Sequence, residues 1–228
     1  MLNVVLVATN VGIGLLGGDY NRATQRVRQI QVQLVQAEIE LNRRTSSADE
    51  SAVENARQML DSAVQALRPV QRTATLHNVV GLLAALVTIL VNSISVTYFM
   101  GTGRWCKEVV EAYQFDAEFI DRSRMLKRRS FPWALIGTTT VVFVAALGAA
   151  SDPATLRRGT AQWVIPHMTA ALLGTGLIVG ALWVQVGFMA KNNELIQELV
   201  ERVRRERSDR GLDVDTAATV EPGARAGE

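Results

Sequence analysis

Three long stretches of this chain contain no charged residue, and they decide the class of protein to which it belongs. They are Thr73–Gly103, Ser130–Ser151 and Gly159–Ala190. A helix needs roughly 20 apolar residues to cross a hydrocarbon core of about 30 Å, and each stretch is long enough to do so. Backbone groups in lipid must be satisfied within the spanning segment, so the spans must be helical. The sequence therefore predicts an all-α, polytopic membrane helical bundle.

The beginning of the chain is also apolar and uncharged, but it is short and contains several glycines. We interpret residues 1–18 as a short N-terminal membrane anchor, which would give four transmembrane helices. The alternative is an interfacial or protein-packed helix, which would leave three.

The next segment, residues 19–72, has the apolar spacing of a coiled coil. Apolar residues recur at alternating intervals of three and four, which is typical of such a seam: Val27, Ile30, Leu34, Ala37 and Leu41, then Val53, Ala56, Leu60, Ala63 and Leu67. A short polar connection between the two series predicts an antiparallel coiled-coil helical hairpin, which Pro69 is expected to end. A second apolar stripe of Val32, Val35 and Ile39 predicts a further contact for the first helix.

The remaining residues are predicted to form the membrane bundle and a tail. Residues 73–207 contain three spans, with a break or kink at Gly101–Gly103 and a helical extension after the last span. Residues 104–128 have an apolar stripe and charged residues elsewhere, so we expect an amphipathic cytoplasmic helix. Residues 208–228 have few large apolar side chains and are expected to be a disordered tail.

The distribution of basic residues predicts how the chain crosses the membrane. Lys and Arg near the span ends are more numerous on the side of residues 104–129 and the C-terminus than on the side of the hairpin. The positive-inside rule then places residues 104–129 and the C-terminus in the cytoplasm and residues 19–72 on the opposite side. We expect a multi-pass protein of a bacterial inner membrane.

Composition limits the functions that this chain can have. A net charge of +2 shows no basic excess, so no nucleic-acid partner is expected, and one cysteine cannot form an intramolecular disulfide. The spans contain no Asp, Glu, Lys or Arg, and the chain has no glycine-rich phosphate loop, zinc-ligand spacing or serine–histidine constellation. We therefore predict no catalytic residues, no metal site and no enzymatic activity.

Two histidines are the strongest candidates for cofactor binding. His77 and His167 each lie near the start of a span, and both spans run in the same direction, so the two side chains are expected at similar depth. A pair of histidines facing each other could hold a haem, and one alone could serve a quinone site. The alternative is that each is an interfacial histidine bonded to water or to a backbone carbonyl.

Polar uncharged residues within the spans predict a polar seam between helices. They are Thr88, Asn92, Ser95, Thr138, Thr175 and Gln185. Such residues are rare in membrane helices and are often functional, but amides also join helices by hydrogen bonds without any further role.

The last two predicted spans contain Leu135-Ile136-Gly137-Thr138 and Ala171-Leu172-Leu173-Gly174-Thr175. These segments resemble the Leu-x-Gly-Thr and Ala-Leu-x-x-Thr segments of the MotA/TolQ/ExbB proton-channel family. The resemblance implies that Thr138 and Thr175 line an ion path. That family places a larger cytoplasmic helical domain before these spans than residues 104–129 provide.

Three functional hypotheses follow from these patterns. The first is an integral membrane interaction or assembly protein, in which the coiled coil and the amphipathic helices bind a protein partner or a second copy of the chain. The second is an ion-channel or stator-like membrane unit. The third is a membrane redox subunit that binds haem or quinone.

Overall fold

A computed structural model describes residues 2–44, 47–155 and 157–212, and its regular structure is entirely helical. Five α-helices follow one another: α1 Leu2–Leu16, α2 Tyr20–Arg44, α3 Ser47–Tyr113, α4 Glu118–Ser151 and α5 Val164–Asp209. Two short 3₁₀ helices, Pro153–Thr155 and Thr160–Trp163, join α4 to α5. Three helices are long and apolar enough to cross a membrane, or four if the α1–α2 pair, bent by 43°, is one span. The all-helical prediction and this number of apolar helices are confirmed.

The helix α3 is longer than the sequence predicts because it runs through two expected breaks. Pro69 lies inside it, as do Gly101 and Gly103. A proline removes one helical hydrogen bond and costs about 3 kcal/mol in a helix interior. Pro69 is exposed, so the carbonyl left without a donor can bond to water, while packing before it, around Leu67, and after it, around His77, holds the helix. Contrary to the expectation from the sequence, the helix does not end at Pro69, and it is not broken at the two glycines.

Residues 104–128 do not form one amphipathic helix, contrary to the sequence prediction. The chain turns between the end of α3 and the start of α4, where Gln114 has a left-handed φ of 56°. The Phe115 N–H bonds to the Val110 carbonyl at 3.0 Å, and the Asp116 carboxylate accepts the Glu118 N–H at 3.1 Å. These bonds satisfy helix ends on both sides of the turn. The apolar stripe that looked continuous in sequence is therefore shared by two helices that fold back on each other.

The helix α2 packs antiparallel against the first part of α3. Val27 and Ile30 form a buried cluster with Ala63, against which further apolar side chains of α3 pack. Farther from the start of α2, Arg57 and Glu38 form an exposed ion pair at 3.2 Å. The predicted helical hairpin is thus present as an antiparallel helix pair.

The chain divides into two compact units, to which α3, α4 and α5 each contribute. Met1–Ser95 and Pro132–Gln185 form the first, here called the bundle unit, as far as these residues are described. Val96–Phe131 and Val186–Glu228 form the second, here called the three-helix unit, with the same restriction. Each unit has buried residues of its own.

Apolar packing holds the three-helix unit together. Phe99, Leu126 and Leu195 form one buried cluster, with one residue from each helix. Cys106, Val110 and Leu199 form a second. The Gly103 backbone lies against Ser123 of α4, since a Cβ at Gly103 would be 3.5 Å from the Ser123 Oγ, an ordinary packing distance.

In the bundle unit, the turn between α4 and α5 is fastened to α2. The Asn21 Nδ2 donates to the Ser151 carbonyl at 2.9 Å, and the Asn21 Oδ1 accepts from the Thr160 hydroxyl at 2.7 Å. Farther along α2, the Arg28 guanidinium donates to the Pro153 carbonyl at 3.1 Å. These bonds attach the first turns of α2 to the turn between α4 and α5.

Candidate functional site: two polar layers in a four-helix bundle

The bundle unit has the opposite polarity to a water-soluble helical bundle. Thr88 is 0% exposed, and Asn92 and Gln185 are each 2% exposed. Large apolar side chains occupy the outer surfaces of the same helices, among them Leu82, Leu86, Leu90, Ile94, Leu173 and Trp183. Soluble proteins bury such apolar residues and leave most amides in water. A bundle with amides inside and leucines outside is suited to an apolar solvent.

Three buried side-chain amides and the buried Thr88 form one hydrogen-bonded layer, against which Gly137 packs. We call the set of Asn3, Thr88, Asn92, Gly137 and Gln185 the amide layer. The Gln185 Nε2 donates to the Asn92 Oδ1 at 3.0 Å, and the Asn92 Nδ2 donates to the Thr88 carbonyl at 2.9 Å. The Thr88 hydroxyl lies 2.9 Å from the Asn3 Oδ1. These bonds connect α1, α3 and α5.

Gly137 brings the fourth helix to the amide layer. A Cβ atom at this position would lie 3.0 Å from the Asn92 Nδ2 and 3.3 Å from its Oδ1. The absence of a side chain therefore lets the backbone of α4 approach the amide directly. Small residues at such contacts are typical of closely packed helices in apolar surroundings.

Two histidines form a second layer, in which their rings lie beside each other. The ring centroids of His77 and His167 are 6.1 Å apart, and the ring planes are inclined by 73°. The His77 Nδ1 lies 3.0 Å from the Asn10 carbonyl oxygen. Because a carbonyl only accepts, we assign the proton of a neutral His77 to Nδ1, which leaves a lone pair on Nε2.

A glycine on a neighbouring helix supports each histidine ring. A Cβ at Gly14 of α1 would lie 2.9 Å from the His77 Cε1, and a Cβ at Gly148 of α4 would lie 3.1 Å from the His167 Cε1. The second layer therefore also contains all four helices. We call the set of Asn10, Gly14, His77, Gly148 and His167 the histidine layer.

The two layers establish the direction of the helices. From the amide layer to the histidine layer, residue numbers rise in α1 and α4 and fall in α3 and α5. The helices therefore alternate in direction along the chain, as in an up-down-up-down four-helix bundle. Buried apolar residues from all four helices lie between the layers: Val7, Ala84, Val141, Ile178 and Ala181.

Several buried polar atoms in and beside these layers have no hydrogen-bond partner within the described protein. In the histidine layer they are the Asn10 Oδ1 and the His167 Nδ1. In or next to the amide layer they are the Asn3 Nδ2, the Gln185 Oε1 and the Ser95 Oγ. A buried polar atom without a partner costs about 1–3 kcal/mol, so these positions are expensive for a purely structural bundle.

Thr138 and Thr175, the threonines on which the family resemblance rests, are not among the residues that the hydrogen bonds of the amide layer join. Thr175 donates its hydroxyl to the Ala171 carbonyl of its own helix at 2.7 Å, and Thr138 is only half-buried. The threonine of α4 that lies against α5 is Thr140, whose Cγ2 would be 3.1 Å from a Cβ at Gly174. Of the predicted polar seam, the structure joins Thr88, Asn92 and Gln185 and leaves Ser95 buried beside them.

Sequence reasoning missed the contribution of α1 to both layers. Asn3 and Asn10 lie two helical turns apart on one face of an otherwise apolar helix. Asn10 also touches α3, since a Cβ at Gly81 would lie 3.0 Å from its Nδ2. The repeat of asparagine at this spacing was the available signal, and it could have been read as an interface facing the other helices.

Known proteins do not identify this arrangement. Family models, curated proteins and solved structures give no match to the chain. Within residues 2–44, 47–155 and 157–212, no group of three or more His, Cys, Asp or Glu side chains is placed to hold a metal ion.

Proposed function

We propose that this protein is an integral membrane assembly protein, in which the bundle unit crosses a bilayer and the α2–α3 helix pair joins two copies outside it. The inverted polarity of the bundle and its long apolar helices support insertion. The bilayer is the solvent that makes exposed leucines and buried amides favourable together. In this proposal residues 104–129 and the C-terminus face the cytoplasm, in keeping with the excess of basic residues there.

The observation that carries the assembly function is an exposed apolar stripe on α2. Val32, Val35 and Ile39 are 57%, 54% and 45% exposed. They lie on the side of α2 opposite to Val27 and Ile30, which are buried against α3. Their spacing of three and four residues is that of a helix that packs against another helix.

The same side of α2 is already an interface near the bundle. Asn21 and Arg28 lie on this side and bond to the turn between α4 and α5. The apolar stripe begins one turn of helix after Arg28, where those contacts end. From this point the side chains on this side of α2 are apolar rather than polar. This part of the helix is therefore suited to pack against a second, apolar partner.

A second copy of the chain is the partner that fits this stripe. Two copies inserted in one membrane in the same orientation present their stripes at the same height. A two-fold axis along the membrane normal then pairs the two α2 helices in parallel and in register, so that Val35 meets Val35. Confinement to a plane also raises the effective concentration of the two stripes.

The mass of the purified protein in nanodiscs tests this proposal. We expect a dimer for the natural chain and a monomer after Val35→Glu together with Ile39→Glu, because carboxylates would then oppose each other across the axis. Met59→Glu is the matched control, since Met59 is an exposed residue of the same helix pair outside the stripe. A natural chain that is monomeric, or a dimer that survives both stripe substitutions, would contradict the proposal.

An ion-conducting unit is the second candidate, and the buried polar layers favour it. Unpartnered polar atoms in both layers could bind water or an ion. Conduction would also require passage between Val7, Ala84, Val141 and Ile178, which are buried between the layers. Proton flux into liposomes that contain the protein tests this candidate. Flux abolished by Thr138→Val with Thr175→Val would support it, and the absence of flux or flux unchanged by these substitutions would exclude that path.

A further inference from the structure

The histidine layer brings together two imidazole rings from two helices, His77 of α3 and His167 of α5, which the proposed assembly function does not use. We propose that this layer binds one Zn²⁺ ion, or a late transition-metal ion of similar chemistry, with the two imidazoles as its protein ligands.

The hydrogen bond to His77 prepares this side chain as a metal ligand. Its Nδ1–H is directed to the Asn10 carbonyl oxygen at 3.0 Å, which leaves the lone pair on Nε2. Metal-binding histidines nearly always donate the other ring N–H to a carbonyl or a carboxylate, because this bond fixes the tautomer and the ring orientation.

His167 supplies the opposing ligand atom. Its Nδ1 is buried and has no hydrogen-bond partner within the described protein. Its ring also lies against Gly148, since a Cβ there would be 3.1 Å from the His167 Cε1, so α4 restrains the ring. A restrained imidazole with an unpartnered nitrogen is the second half of a two-histidine site.

The separation of the rings fits a shared ion. Zn²⁺ binds imidazole nitrogen at about 2.0–2.1 Å, so two rings on one tetrahedral ion have centroids roughly 5–6 Å apart. The observed centroid separation is 6.1 Å.

The Asn10 backbone carbonyl orients His77, while the Asn10 side chain lies against Gly81, one helical turn farther along α3. Two imidazoles are ligands that Zn²⁺ accepts, whereas Mg²⁺ prefers sites made only of oxygen. With two nitrogen ligands the site is expected to bind more weakly than a closed four-ligand structural zinc site.

Calorimetric titration of the purified full-length chain with ZnCl₂ tests this inference. The affinity tag must be removed, and Cys106→Ser is used throughout so that neither a tag nor the thiol binds the ion. We expect one Zn²⁺ per chain, no heat from MgCl₂, and affinity reduced by more than about 10-fold in His77→Ala and in His167→Ala. Gln162→Ala, an exposed polar position close to His167 in sequence, serves as the control and should bind as the parent does.

A second measurement keeps the inference testable if the alanine variants do not fold. Diethylpyrocarbonate modifies accessible imidazoles, and peptide mass analysis reports the two histidines of the unsubstituted chain separately. We expect Zn²⁺ but not Mg²⁺ to protect both. Absence of zinc binding to the parent, binding unchanged by both histidine substitutions, or absence of protection would overturn the inference. A purified protein with a haem absorbance band would overturn it as well, because the rings would then be axial ligands.

Discussion

The hydrogen bond between Asn92 and Gln185 can be measured by a double-mutant cycle. Asn92→Ala, Gln185→Ala and the double variant are compared with the natural chain. Each single substitution removes the bond of 3.0 Å between the two amides, and Asn92→Ala also removes the bond to the Thr88 carbonyl. The cycle isolates the energy that depends on both side chains.

The expected coupling energy is about 1 kcal/mol. Interhelical hydrogen bonds in membrane proteins average about 0.6 kcal/mol, with a maximum near 1.7 kcal/mol. Both amides here are 2% exposed, which favours the upper part of this range because water cannot replace the lost partner. The Gln185 Nε2 also lies 3.2 Å from the Ala181 carbonyl, so it keeps one acceptor in Asn92→Ala, and this lowers the coupling.

The assay is equilibrium unfolding in mixed micelles, followed by tryptophan fluorescence and far-ultraviolet circular dichroism. Ser93→Ala is the control, because Ser93 is the neighbouring exposed residue and donates its hydroxyl to the Ile89 carbonyl of its own helix. We expect Ser93→Ala to couple to Gln185→Ala by less than about 0.3 kcal/mol. A coupling as small as this between Asn92 and Gln185 would refute the reasoning that the amide layer joins the helices.

Three further predictions address the histidine layer, the helix pair and the cysteine. Gly14→Ala should destabilise the bundle by about 1–3 kcal/mol in the same unfolding assay, because its Cβ would meet the His77 ring at 2.9 Å; unchanged stability would show that the ring is free to move. Glu38→Gln should change stability by less than about 1 kcal/mol, since its ion pair with Arg57 is exposed to water; a larger loss would mean that the pair is buried in an assembly. Burial raises the pKa of the Cys106 thiol, so a smaller fraction of it is thiolate at a given pH. Maleimide should therefore label Cys106 more slowly than a free thiol until the chain is unfolded. Rapid labelling of the folded protein would contradict the burial of this thiol.

The parts of the fold that follow from periodicity were predictable. The spacing of Val27 and Ile30, and of Leu60 and Ala63, indicated which sides of two helices pack together, and these residues do so. Uncharged length was enough to indicate three long apolar helices. Periodicity and length are properties of the sequence alone, so no knowledge of the tertiary contacts was needed.

The positions of the helix breaks depended on tertiary contacts and were predicted less well. Pro69 and Gly101 have low helix propensity, but α3 continues through both because packing elsewhere along the helix outweighs a local cost of about 1–3 kcal/mol. The turn at Gln114 has no proline or glycine to indicate it. A left-handed residue held by the packing of the two helices beside it leaves little trace in the sequence.

The candidate site was partly predictable for a related reason. The sequence placed His77 and His167 at the same depth, because depth depends only on position along a helix. Whether two rings face each other depends on the rotation of each helix about its axis, which neighbouring helices determine. Asn10 and the supporting glycines could be assigned to the histidine layer only once α1 and α4 were placed beside it.

The central claim is that the bundle unit crosses a membrane, with the α2–α3 helix pair on one side and the end of α5 on the other. Single cysteines introduced by Met59→Cys and by Ser208→Cys, each in a Cys106→Ser background, are exposed positions at which to test it. A membrane-impermeant maleimide is applied to intact cells and to everted membrane vesicles. The account predicts that Met59→Cys is labelled in cells and Ser208→Cys only in everted vesicles. Labelling of both from the same side, or recovery of the protein in the soluble fraction, would contradict it.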